Sequence, residues 1–263
     1  MKGWPLEKFR ENGVAHVPQV LSKEDVKSLR EHLLRKADEK SASESNPTYL
    51  SGLLFHDEKL QGLFFIPKVV ESLKAVLGAD YAILPEATAH RGYFSVWHQD
   101  TDTLEREGFR FHFDPDYRIV QAGIYLQDNT AEWGGGLDVV PRSHNWRSRI
   151  KRRCILGALR KCPWLVSSLV QKIPSKAGDL VVFDLRMIHQ GSQPRGPRPT
   201  GADAKLSIFM ACSRNNSCAV QYAAYLKDVA TLKSERYKRL MDRHRIDDTL
   251  RAQAKALGIR FVP

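Results

Sequence analysis

The chain has 263 residues, 42% of them hydrophobic and 27% charged, and 41 lysines and arginines against 30 acids leave a net charge of +11. That length can bury one large core, and no run of ~18 apolar residues offers a membrane-spanning helix. The opening MKGWPLEKFRENG has no apolar stretch of signal-peptide type, so the expectation is a cytoplasmic protein whose Cys154, Cys162, Cys212 and Cys218 stay reduced.

In chain order, Val14, His16 and Val17 predict a short strand. Ser22, with Asp25 three residues on, then caps a helix whose Val26, Leu29, Leu33 and Leu34 share one face. Residues 41–52 read as a polar loop. Ile66 to Gly78 reads as a second helix, opened by Pro67 and closed by the glycine. From Tyr81 the texture changes to short segments rich in β-branched and aromatic residues: YAILPEATAHRG, YFSVWHQD, RIVQAGIYLQD, GGLDVVPRSH, AGDLVVFDLRMIHQG and AKLSIFMACS. Strands of this kind without intervening helices predict a sandwich or barrel. One helical interruption, HNWRSRIKRRCILGALRKCPWLVSSLVQKIPSK, has Ile155, Leu156 and Leu159 on one face and Leu165, Leu169 and Ile173 on another. It is also where the charge sits, since between Val139 and Gly178 there are ten cations and no acid. Leu226 to Leu257 reads as a polar helical region.

His98-Gln99-Asp100 is expected at the end of a strand, where alternation puts His98 and Asp100 on one face. His189 follows the apolar strand Leu180-Val181-Val182-Phe183 and precedes a Gly-Ser turn. Two imidazoles and one carboxylate on one face of a metal leave open positions, an arrangement that suits iron(II). An isolated H-x-D occurs by chance in many chains. The weight of this one comes from the pattern around it.

That pattern resembles the phytanoyl-CoA dioxygenase family of iron- and 2-oxoglutarate-dependent oxygenases. The resemblance runs from about Phe9 to Cys212 and rests on FRENGVAHVPQVLSKEDV, WHQD at 97–100, IYLQDNT with GGLDVVPRSH at 124–144, and AGDLVVFD leading to HQGS at 189–192. It implies a double-stranded β-helix, the cupin-like jelly roll, as a single domain over 1–263. That domain comprises a helical N-terminal support (1–78), a jelly-roll core (79–218) with a helical insertion (145–176), and a C-terminal helical segment (219–263). It also implies Fe(II) held by His98, Asp100 and His189, with 2-oxoglutarate as co-substrate. Decarboxylation of the co-substrate to succinate would be coupled to hydroxylation of an unactivated C–H bond. Related halogenases lack the carboxylate ligand, and Asp100 is present here.

The family normally meets the distal carboxylate of 2-oxoglutarate with an arginine, often followed two positions on by a hydroxyl residue. Here Lys205-Leu206-Ser207 stands in that place. Lysine neutralises a carboxylate but lacks the planar fork of arginine. Arg198, with Arg195 behind it in the loop QPRGPRPTG, is the competitor. Strand parity adds Gln121 and Tyr125, with Gly123 between them, as residues facing co-substrate or substrate, and adds His90 and Phe94 to the cavity of His98.

The basic insertion admits three readings. It could be a solvated helix, a clamp for an anionic or lipid- or glycan-linked substrate, or a peripheral contact with an anionic membrane. Nucleic acid is disfavoured, because no stacking aromatics or known motif accompany the charge. Two further functions remain open: a catalytically inactive cupin-like binding protein, against which the complete ligand set argues, and a nucleic-acid demethylase of similar fold.

Overall fold

A computed structural model describes residues 4–40, 48–233 and 246–262. Two sheets, antiparallel except for one short strand, form the core. The larger one contains β1 (Val14–Val17), β2 (Thr48–Ser51), β3 (Ala82–Arg91), β4 (Ile119–Tyr125), β7 (Leu180–Asp184), β9 (Leu206–Ser213) and β10 (Arg260–Phe261). Its order is β1-β7-β4-β9-β3-β10, with β2 also on β3. The smaller sheet runs β6 (Gln171–Ile173), β5 (Leu137–Val140), β8 (Ile188–Gly191). The two sheets face each other as a double-stranded β-helix without joining into a closed barrel.

Period-two patterning sorts the side chains of the large sheet. Val120, Ala122 and Ile124 of β4, Leu180 and Val182 of β7, and Leu206, Ile208, Met210 and Cys212 of β9 pack outward into one apolar cluster with the helices. Short helices α1 (Phe9–Asn12) and α3 (Glu58–Gln61) flank the two long ones that cover this face, α2 (Lys23–Lys40) and α4 (Pro67–Leu77). The capping box is formed: Ser22 Oγ accepts from the Asp25 amide at 3.0 Å, and Asp25 Oδ2 accepts from the Ser22 amide at 3.3 Å. The opposite parity, Val181 and Phe183 of β7 with Tyr125 of β4, faces Leu137, Val139 and Ile173 of the small sheet. The space between the sheets is therefore lined from both sides by side chains of this second parity.

Three expectations need correction. Thr48–Ser51 is a strand rather than loop, because four residues of β3, Thr88 to Arg91, have a free edge that these residues fill; residues 41–47 lie outside the described residues. The second half of the insertion is not α-helical. After α6 (Arg149–Lys161), Pro163 starts two tight turns, and Gln171–Ile173 becomes β6, pairing with Leu137–Val139. The β-branched Val170 and Ile173, at and next to this strand, suit that extended geometry better than a helix. The C-terminal segment is not wholly helical either. Helices α7 (Ser217–Lys233) and α8 (Asp248–Ala256) are present, but Arg260–Phe261 adds a parallel strand to β3, and residues 234–245 lie outside the described residues. All four cysteines are free. No described helix is long and apolar enough to cross a membrane.

Candidate metal centre and co-substrate cavity

His189 lies in β8, opposite Val139 of β5. On its other side it pairs with His98 through two backbone hydrogen bonds, His98 N to His189 O at 2.9 Å and His189 N to His98 O at 3.0 Å. His98 is thus held by one bridge and not by the strand expected over Tyr93–Asp100. The preceding residues are pinned individually instead. Ser95 Oγ accepts from the Gly191 amide at 2.7 Å, and the Trp97 carbonyl accepts two hydrogen bonds from Arg160, at 2.9 and 2.6 Å. Asp100 sits in the turn that follows, before α5 (Asp102–Arg106).

One donor atom from each of His98, Asp100 and His189 falls within 4.8 Å of the others. His98 Nδ1 donates to the Val96 carbonyl at 2.7 Å, and His189 Nδ1 to the Met187 carbonyl at 3.0 Å. Those bonds fix the tautomer and leave both Nε2 lone pairs free. The two Nε2 atoms point at Asp100, 3.3 Å and 4.0 Å from its carboxylate oxygens. Asp100 Oδ2 is buried without a hydrogen-bond partner among the described residues. An unpartnered buried carboxylate oxygen between two imidazole lone pairs is costly unless a cation completes it. The donor set therefore fits a divalent metal.

The electrostatics favour the ligating form at Asp100 and His189. Burial pushes the Asp100 carboxyl up, but His189 and His98 outweigh it, and the group ends below its ordinary value. Burial, reinforced by His98, lowers His189 to about 4. For His98 burial works downward, but Asp100 and the Val96 carbonyl leave the imidazole above its ordinary value. A neutral imidazole and an ionised carboxylate are the forms that ligate.

A cavity of about 480 Å³ opens from these three residues into the space between the sheets. Of the sequence candidates, His90, Gln121, Tyr125 and Lys205 line it. Gln121 Oε1 is buried without a partner among the described residues. Lys205 is 5% exposed, donates to the Tyr93 carbonyl at 2.8 Å, and is lowered by burial to about 7. Arg198 is exposed and outside the cavity; its guanidinium lies 5.2 Å from the centroid of the Phe94 ring, over which Lys205 Nζ also sits at 5.1 Å. Phe94 itself does not line the cavity.

Ser207 does not line it either. It is fully buried, opposite Tyr125 on one neighbouring strand and His90 on the other, and these larger same-face partners cover it.

The cavity also contains residues that sequence reading passed over: Tyr49, Glu86, Thr103, Tyr222 and Tyr225. They come from β2, β3, α5 and α7, of which only α5 directly follows a motif. The signal that could have found Glu86 was its place after Pro85 inside a strand, since proline within a sheet marks an edge or a bulge.

Gly123 shapes the same space. A Cβ on it would come within 2.6 Å of the Phe209 ring. Gly123→Ala is therefore expected to swing Phe209 into the cavity, costing about 1–3 kcal/mol. The affinity for 2-oxoglutarate, measured by titration, should fall while the circular dichroism spectrum is retained.

The basic insertion lies against this site. Leu156 and Leu159 of α6 pack on Trp97, Val140 and Ile188, the neighbours of both histidines. Most of the cations with clear contacts are used within the protein. Arg152 pairs with Glu105 and donates to the Trp146 carbonyl, Arg149 lies 3.4 Å from Glu105, Arg160 holds Trp97, and Lys151 lies over the Trp146 ring. A second cavity, of about 620 Å³, also reaches His98 and Asp100 and is walled by Asp102, Glu105, Arg106, Arg149, Arg153 and Arg160 among others.

Comparison with known proteins bears on this geometry. The sequence profile of the phytanoyl-CoA dioxygenase (PhyH) family matches residues 9–200. No curated protein matches the chain. Among solved structures, HygX from Streptomyces hygroscopicus, with nickel and 2-oxoglutarate bound, is 16% identical with a TM-score of 0.63, the match covering 80% of this chain and 86% of HygX. The non-heme α-ketoglutarate-dependent carbocyclase SnoK from nogalamycin biosynthesis is 19% identical with a TM-score of 0.57, covering 79% and 81%. The epimerase SnoN from the same biosynthesis is 15% identical with a TM-score of 0.57, covering 82% and 87%. These likenesses establish the fold, and the profile match over most of the chain establishes the family: the protein belongs to the phytanoyl-CoA dioxygenase family of iron- and 2-oxoglutarate-dependent oxygenases.

Proposed function

We propose that this protein is a 2-oxoglutarate-dependent dioxygenase that hydroxylates an unactivated C–H bond of a small molecule. In this reading His98, Asp100 and His189 hold Fe(II), and Lys205 receives the distal carboxylate of 2-oxoglutarate. The observation that carries it is one cavity containing both a convergent His-Asp-His set and a single buried lysine. Iron with 2-oxoglutarate supplies the oxidising power for C–H cleavage; this chain's residues supply position and exclusion of water. The carbonyls of Val96 and Met187 hold the two imidazoles in the ligating tautomer. Lys205 presents a cation where a carboxylate would otherwise be desolvated unpaired. Phe183, Phe209 and Tyr125 wall the cavity from the apolar side.

The basic insertion supports an anionic substrate less than its charge suggests, because so many of its cations are tied to Glu105, Trp97 and Trp146. Its apolar face supports the ligand segments, which makes it a buttress for the metal site. Arg106 and Arg153, on the wall of the second cavity, are the places where an anionic substituent would fit.

The test is spectroscopic. Anaerobic addition of Fe(II) and then 2-oxoglutarate should produce a weak visible charge-transfer band, and admission of oxygen should yield succinate. A folded protein that gives neither is a binding protein of jelly-roll fold, and the proposal fails.

A further inference from the structure

Within the cavity the charges divide in an informative way. Among the described residues that line it, the carboxylates are Asp100 and Glu86, and Lys205 is the one lysine or arginine. On the reading above, the two positive charges of the metal, Asp100, the two carboxylates of 2-oxoglutarate and protonated Lys205 sum to zero. Glu86 is left as the uncompensated charge.

Its position is built. The β3–β9 register slips between Ile83 and Ala87, so Pro85 and Glu86 stand in an irregularity of an otherwise regular strand. Such bulges re-aim side chains and recur beside active sites. Pro85 and Glu86, consecutive in sequence, both reach the cavity, which regular alternation forbids. From α7, Tyr222 donates its hydroxyl to Glu86 Oε2 at 2.7 Å. Tyr222 is itself buried and can donate only one hydrogen bond. Tyr225 adjoins Tyr222 in this part of the wall, their ring centroids 5.9 Å apart, whereas Tyr49 and Tyr93 pack on His90 toward Lys205.

We propose that the substrate carries a protonated amine, and that Glu86, steadied by Tyr222 with the Tyr225 ring next to it, is the group that binds it. An acid among aromatic faces is the arrangement that holds an ammonium, through one ion pair and the ring quadrupoles. Burial, with Asp100 adding to it and the Tyr222 hydrogen bond opposing, pushes Glu86 up to about 7. The carboxylate is therefore costly in this cavity until a cation joins it. This inference rests on the assignment of Asp100 to metal and Lys205 to co-substrate. It reverses, for the interior, the anionic substrate that the net charge suggests.

The probes are cyclohexylamine, cyclohexanol and cyclohexanecarboxylate, similar in shape and different in charge. Their dissociation constants would be measured by ligand-observed NMR on protein loaded with Zn(II) and 2-oxoglutarate. The amine should bind about tenfold more tightly than the alcohol, the gain of one modest ion pair, and the carboxylate should bind most weakly. Glu86→Gln, which keeps the shape and the acceptor for Tyr222, should remove the advantage of the amine. Glu86→Asp should keep its sign. Equal affinities, no binding of the amine, or a preference that survives Glu86→Gln overturns the proposal. The three-probe ranking in the unmodified protein decides the matter even if a variant fails to fold. The charge-transfer band separates the two failures: a band without an amine preference sinks this inference alone, and no band sinks the metal and co-substrate reading beneath it.

Discussion

Replacement of His189 by alanine is expected to abolish the charge-transfer band of the iron–2-oxoglutarate complex. Succinate formation should fall by more than about a hundredfold, since even residues that only orient metal ligands cost 10–100-fold when lost. His189 is 4% exposed and pinned on both edges, by Val139 of β5 and by its bridge to His98. Its Nδ1 is committed to the Met187 carbonyl, so Nε2 is the only atom it can offer a metal. Removing it leaves His98 and Asp100, two donors whose nearest atoms are 3.3 Å apart, in a loop rather than a ladder. Asp100→Asn should fail differently. It keeps the shape but removes the one anion of the ligand set, so iron binding should weaken sharply. His90→Phe is the control: His90 lines the same cavity, and burial together with Lys205 lowers it to about 3, so it is a neutral wall residue outside the ligand cluster. A His189→Ala protein that kept the band would refute the ligand assignment. A His90→Phe protein that lost it would point to a different ligand set.

These expectations were readable to unequal depth. The candidate ligands could be named because WHQD and HQGS sit among ordered matches to one family, and the structure brings His98, Asp100 and His189 together. The two sheets followed from alternation, which sorted Val120, Ala122 and Ile124 from Gln121 and Tyr125 correctly. What failed has physical causes. A strand over Tyr93–Asp100 was suggested by aromatic and β-branched content, but among the described residues this segment has no ladder partner and is held by Ser95, by Arg160 and by the one bridge at His98. Leu165, Leu169 and Ile173 satisfy helical and period-two spacing alike, and the free edge of β5 decided for a strand at Gln171–Ile173. Ser207 had the right parity, but parity cannot show that Tyr125 and His90 cover it. Glu86 was missed because the irregularity that turns it inward exists only where β3 meets β9, a pairing across more than a hundred residues. The cation count of the insertion was legible, but the partners of Arg152, Arg160 and Lys151 were not, because Glu105, Trp97 and Trp146 meet them only in three dimensions.

Lys205→Met carries the second large effect, on co-substrate rather than metal. Removing one partner of a buried ion pair costs roughly 3–5 kcal/mol, so KM for 2-oxoglutarate should rise by at least about a hundredfold while iron affinity is retained. Arg198→Ala should leave KM within about twofold, because an exposed cation outside the cavity is worth little. The pH dependence of the unmodified protein supplies an independent check. Burial lowers Lys205 to about 7 in the protein without co-substrate, so the amine is largely charged below that pH and largely neutral above it. A carboxylate placed beside it favours the charged form and raises its pKa, so binding takes up a proton above pH 7. The dissociation constant for 2-oxoglutarate should therefore be flat below about pH 7 and increase with pH above it, approaching tenfold per unit until the pKa of the complex is reached. Lys205→Met should lose that slope along with its affinity. Lys205→Arg, always protonated, should lose the slope while keeping part of the affinity, because the guanidinium keeps its charge in a cavity that discharges a lysine. If the slope persisted in Lys205→Met, or if Arg198→Ala raised KM more than Lys205→Met did, the anchor would lie elsewhere. The family's usual arginine would then have a substitute in the loop and not at the strand.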